Sequence, residues 1–207
     1  MKQKAKALFS NKQIGLYASV AGSLIMGTIH LTATIRNFSW LTFNYCLFCY
    51  LLALIRILLT WIEKSGRKSR IYLAGALSLA VLLIPMTVAM VKTILEKDAP
   101  VYIFYWMIYL YAAYGTVKFI LAVRSRHKAR KSRDAYGGVI SWLSLVSAAY
   151  TLQMMESALI STFDTKSHFS MILLQFFSQG AILIFCCSVI VHLYIKFKKQ
   201  KRSERLQ

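Results

Sequence analysis

Charge is scarce in this chain. Only 16% of its 207 residues are Asp, Glu, Lys or Arg, where a soluble domain of this size carries roughly a quarter. Acid is scarcer still: there are seven Asp and Glu in all, and Glu156 is the only one inside a long apolar block. Metal-dependent membrane hydrolases need two or more His or acidic ligands. One buried acid and one well-placed His, His30, cannot supply them. The sequence also lacks G-x-S-x-G, and Gly22-Ser23 falls in a stripe of small residues, so no Ser-His hydrolase is indicated. His127 sits among arginines, but the second motif of phosphatase-like membrane enzymes is missing.

Cysteine is limited to Cys46, Cys49, Cys186 and Cys187, all within apolar blocks. The C-x-x-C at Cys46 and Cys49 has no second pair at zinc-site spacing, and such residues read as small buried hydrophobes. Cys46 and His30 lie close in expected depth, which alone keeps a Cys-His peptidase in view. From these absences we expect no catalytic residue, no metal site and no cofactor.

What the chain does have is six apolar blocks, at about 14–35, 40–62, 71–94, 102–123, 138–160 and 171–194. Each is near the ~20 residues that carry a helix across the hydrocarbon core. They do not alternate and are about twice the length of a spanning strand, which excludes an outer-membrane barrel. The first is too long for a signal-peptide core and has no clear cleavage site. The expected fold is all-α: a polytopic bundle of six transmembrane helices forming one domain over 1–207, with a basic tail at 196–207.

The net charge of +19 follows topology rather than nucleic acid. Four Lys lie before the first block, four basic residues in the second connector (Lys64, Arg67, Lys68, Arg70) and six in the fourth (Arg124 to Arg133). Six more lie from Lys196 to Arg205. The other side holds only Arg36, Lys92, Lys97 and Lys166. Twenty against four is a strong positive-inside asymmetry and implies both termini in the cytoplasm. The expected partners are the bilayer and its anionic lipids at the cytoplasmic face, which attract basic loops by about 1 kcal/mol per residue. A membrane-protein partner is possible on the same reading; nucleic acid is not expected.

Small residues recur every four positions in the first block (Gly15, Ser19, Ser23, Gly27) and again from Gly137 through Ser141, Ser144 and Ala148. Such stripes let helices approach closely in lipid. Pro85 should kink the third helix. Polar residues inside lipid usually face the protein interior. At 1.5 Å per residue, His30, Asn44, Gln153, Glu156, Gln175 and Gln179 all fall roughly 5–10 Å to the outer side of the midplane. They form the expected site, an outward-facing polar cavity. Arg56 and Lys118 lie in the inner half. Arg56 is expected to snorkel to the headgroups or to reach Glu63 on its own helix face.

From Ser39 to Phe163 the chain resembles an uncharacterised family of six-span integral membrane proteins of low-GC Gram-positive bacteria. The residues concerned are Ser39-Trp40, Tyr50-Leu51-Leu52-Ala53-Leu54 and Arg56, then Tyr111-Ala112-Ala113-Tyr114, then Ser147 to Gln153 and Glu156-Ser157-Ala158. Where the family's fifth span reads Leu-Glu-Thr-Ala, this chain has Leu152-Gln153 and places its acid three residues later. The resemblance implies a bacterial plasma membrane and assigns no activity. Vitamin-capturing subunits of bacterial uptake transporters are similar in size and span number, with Ala-x-x-x-Ala where this chain has Gly15-x-x-x-Ser19 and Ala18-x-x-x-Gly22. The expected function is non-enzymatic binding or transport of a small solute. The alternative is an accessory or scaffold subunit of a larger membrane complex.

Overall fold

The computed structural model describes residues 2–36, 38–66, 68–96, 106–132, 134–163 and 168–205, with side chains over 15–36, 38–66, 68–92, 109–132, 134–159 and 173–204. Lys97, Lys166, Tyr102 and Tyr105 lie outside these residues. Within them run six helices: α1 (Lys2–Arg36), α2 (Trp40–Glu63), α3 (Lys68–Glu96), α4 (Trp106–Ser132), α5 (Ala135–Phe163) and α6 (His168–Arg205). Five contain a stretch long and apolar enough to cross a membrane, namely Gly15–Arg36, Trp40–Glu63, Lys68–Lys92, Ala135–Leu159 and Leu173–Glu204. Side chains of α4 are described only from Tyr109, so the block at 102–123 lies partly outside the described residues.

Local chemistry sets several helix ends. The Ser39 hydroxyl accepts from the Thr42 amide (3.3 Å) and caps α2. Asp134 caps α5 by accepting from the amides of Tyr136 (3.2 Å) and Gly137 (3.0 Å), where a carboxylate also suits the helix dipole. Gly66, at φ 74°, donates to the Glu63 carbonyl and turns the chain out of α2. Through the basic segment α6 continues as helix to Arg205. Lys and Arg are good helix formers, so the helix does not stop where its apolar face ends. Lys198 lies 4.9 Å over Tyr194 and Lys201 lies 5.6 Å over Phe197, each one turn away. Near its end, Glu204 accepts from the Ser69 amide (3.2 Å) and hydroxyl (2.6 Å), joining α6 to the first turn of α3.

α5 is the hub, packing on α2, α3, α4 and α6, while α3 and α6 form another long contact. The core is apolar and aromatic: Tyr45, Phe48, Leu52, Leu79, Leu82, Val139, Leu143, Tyr150 and Met154 are all sealed from solvent. Gly75 permits the tightest crossing, since a Cβ there would lie 2.4 Å from Val139 Cγ1. Large apolar side chains such as Trp61, Ile84 and Ile184 point outward, at 74%, 63% and 70% exposure. A surface of this kind suits hydrocarbon rather than water.

α1 rests on α2, and α4 rests on α5, but among the described residues the backbones of α1 and α4 do not pack on each other. The expected close-packing stripe of α1 is therefore only partly that. Gly27 does meet Tyr50, whose ring would be 3.3 Å from an added Cβ. Gly15 and Gly22 have nothing within 4 Å. They border a cleft.

Candidate functional site

The cleft lies between α1 and α4, toward the end of the bundle that carries the basic connectors, and encloses about 410 Å³. Cavities of this size take small ligands. Small residues of α1 (Gly15, Ala18, Ser19, Gly22) form one wall, and Val117 and Leu121 of α4 form the other. Arg56 of α2, Lys118 of α4 and Ser144 of α5 supply its polar groups.

Arg56 does not snorkel. It is 3% exposed, and its guanidinium turns into the bundle, one NH2 group donating to the Ser19 carbonyl and the Ser23 hydroxyl at 3.0 Å each. The other reaches the Ser144 hydroxyl at 3.5 Å. The expected Glu63 partner is not used. α1 packs on α2 and brings two hydroxyl-bearing turns within reach, so burial with hydrogen bonds replaces an extended route to the headgroups. Three of the five guanidinium donors are engaged. The buried Nε has no partner among the described residues.

Lys118 donates to the Thr151 hydroxyl at 2.8 Å and lies 5.5 Å over the Tyr114 ring. Thr151 in turn donates to the Ser147 carbonyl at 2.8 Å. Its single proton is thereby committed, so Tyr45, 2.9 Å away, is the donor in their contact. Among the described residues neither Arg56 nor Lys118 has a carboxylate partner. Two cations thus sit in low dielectric without an acid. Taking a charge out of water costs several kcal/mol when it is unpaired.

The opposite end of the cleft is shut by rings. His30 of α1 meets Tyr45 of α2 edge-on at 4.6 Å and Tyr111 of α4 at 5.3 Å. Phe48 and Tyr150 pack behind them, their tilted rings 4.6 Å apart. His30, expected as an ionisable member of an outer cavity, is therefore 2% exposed within an aromatic cluster.

The remaining residues expected at that level do not converge with it. Asn44 is buried and donates to the Trp40 carbonyl of its own helix (2.8 Å). Gln153 is buried and contacts Ser157, also on its own helix (3.4 Å). Glu156 is half-buried and lines no part of the cleft. Gln175 and Gln179 belong to α6, which packs on α3 and α5 and, among the described residues, not on α1. Gln179 is buried, and its amide has no partner among the described residues. Lys92 lies 4.8 Å over the Trp40 ring.

Thr151, Tyr45 and Ser19 complete the site, and sequence reasoning singled out only Ser19, as a packing residue. The available signal was Ser147 and Thr151 one turn apart, in register with Ser144, on the helix that carries Gln153. Among the described residues no three His, Cys, Asp or Glu side chains gather as metal ligands. The chain matches no family model, no curated protein and no solved structure.

Proposed function

We propose that the chain is a multi-pass plasma-membrane protein of six crossings with both termini in the cytoplasm, and that it binds a small anionic solute in the Arg56–Lys118 cleft as the binding step of transport. The charge asymmetry of twenty basic residues against four supports the topology. The resemblance to six-span proteins of low-GC Gram-positive bacteria supports a bacterial plasma membrane. On this topology the cleft faces the cytoplasm, unlike the outward-facing cavity expected from His30, Asn44, Gln153, Glu156, Gln175 and Gln179.

One observation carries the reading: two buried cations share a cavity in which no acid among the described residues neutralises them. A carboxylate or phosphate would supply the missing charge and take up the idle guanidinium and ammonium donors. The serine hydroxyls and the small wall residues leave space for it. The described lining holds cations and hydroxyls, which suits binding and passage of an anion.

Thermal unfolding of the purified protein in neutral detergent tests this against phosphate, sulfate and short carboxylates. A fitting anion at a hundred times its Kd should stabilise by about 2.7 kcal/mol. Arg56→Met and Lys118→Met should each remove that response. Without anion, Arg56→Met should unfold at the same temperature or higher, because a desolvated charge has been replaced by an apolar side chain. An anion response surviving both substitutions rules the cleft out as the site.

A further inference from the structure

A second cationic cavity, of about 720 Å³, opens on the other side of α4, where that helix stands away from α6. It shares no residue with the first. Arg126 and Arg130, one turn apart on α4, line it together with Lys196 and His192 of α6. Trp142 of α5 is its platform. The Arg126 guanidinium lies 3.7 Å from the centre of the indole, and the His192 ring approaches edge-on at 5.8 Å. Arg126 also donates to the Ser141 hydroxyl at 3.3 Å. Lys196 lies 5.8 Å over Tyr72 of α3.

The one acid in the lining, Asp134, is turned to the first amides of α5, which it caps. Arg126, Arg130 and Lys196 have no carboxylate partner among the described residues. Burial first, and then the neighbouring Arg130, lower the pKa of Arg126 from its ordinary value, as expected for cations crowded without an anion.

The lining is graded along the helices. Arg130, Asp134 and Lys196 lie at the basic end, whereas Leu145 and Phe185 lie deeper. Phe185 and Lys196 are eleven positions apart on α6, roughly 16 Å along its axis. A soluble anion would use only the polar end. A molecule with a phosphate at one end and a hydrocarbon chain at the other matches the whole length.

We propose that this groove is a binding site for an anionic glycerophospholipid, its phosphodiester held by Arg126, Arg130 and Lys196 and its acyl chain laid along Trp142, Leu145 and Phe185. The indole keeps the Arg126 guanidinium flat and presents its remaining N–H groups to the phosphate oxygens. The inference does not depend on the solute cleft.

The test uses Trp142 as reporter in a chain with Trp40, Trp61 and Trp106 changed to Phe, reconstituted in phosphatidylcholine vesicles. Phosphatidylglycerol with brominated acyl chains should quench Trp142 at a several-fold lower mole fraction than brominated phosphatidylcholine. Arg126→Gln and Lys196→Gln should each reduce that preference by about fivefold, the factor expected per basic residue near a membrane surface. Arg130→Gln, on an exposed side chain, should reduce it without disturbing the fold. Arg56→Gln should leave it unchanged, whatever the fate of the solute cleft. Identical quenching by the two lipids overturns the proposal, as does a preference that survives all three substitutions. With the solute cleft silenced by Arg56→Met and Lys118→Met, a thermal stabilisation by inorganic phosphate equal to that by phosphatidylglycerol, in lipid-free detergent, overturns it in favour of a soluble anion.

Discussion

The two ends of this bundle treat their buried polar side chains in opposite ways. Toward the basic end, Arg56, Lys118, Ser19, Ser23 and Ser144 come from four helices and meet across a gap. Toward the other end, Asn44 and Gln153 are satisfied within their own helices, and His30 is enclosed by tyrosines. The difference lies in helix adjacency. Where α1 and α4 stand apart, inward-pointing polar groups face a cavity. Where side chains bridge the same two helices, the space is filled with rings. Polarity at a common depth is not enough to make a site.

The sharpest test of that contrast is a pair of glycines. Gly75→Leu forces a branched side chain into the α3–α5 crossing, where even a Cβ would sit 2.4 Å from Val139. Its expected loss is about 3 kcal/mol or more of unfolding free energy. Gly22→Leu points into open space beside Arg56. It should leave the melting temperature nearly unchanged while abolishing stabilisation by anions. Equal destabilisation by both would mean that the cleft closes under native conditions.

A smaller effect is expected at the junction of the two ends. Thr151 accepts from both Lys118 and Tyr45, so Thr151→Val leaves two buried donors unsatisfied. The expected cost is about 1–3 kcal/mol. It should be accompanied by weaker anion binding, because Lys118 loses the contact that orients it. Thr151→Ser, which keeps the hydroxyl, should recover most of both losses. If Thr151→Val lowers stability yet leaves anion affinity intact, Lys118 is not part of the binding site.

The smallest effect is expected at Glu156, the one acid inside an apolar block. With no part in the cleft, Glu156→Gln should shift stability by less than about 0.5 kcal/mol and leave the anion response untouched. A sharp loss of anion-dependent stabilisation in this variant would restore the outer polar groups as the site.

Much of the fold was legible because span length and hydropathy are one-dimensional properties. α2 begins at Trp40 behind the Ser39 cap, as its apolar block indicated. The block boundaries fell short at α1, α4 and α6 because apolar sequence ends at the lipid while the helix continues through charged residues. Arg56 and Lys118 were visible as the cations set well inside the blocks, Lys92 lying near the end of the third. The direction of Arg56 was not, because snorkelling and inward burial differ only in which helix lies beside it. Gly15, Ser19, Gly22 and Ser23 were ambiguous for a related reason. Close packing and a cavity wall both call for small side chains, and only the position of the neighbouring helix separates the two.

The contact between Glu204 and the start of α3 bears on the order in which the molecule is built. α1 and α2 are neighbours in sequence and can pair as soon as both are synthesised. α3 has its longest contact with α6, and Ser69 and Glu204 are 135 positions apart. While α4 and α5 are being made, the face of α3 that will receive α6 has only lipid or membrane chaperones against it. Assembly of the α3–α6 pair is thus a late, non-local event. Chains stalled before Met171 should accordingly expose α3 to proteolysis or crosslinking, and that exposure should vanish once residue 204 has been added.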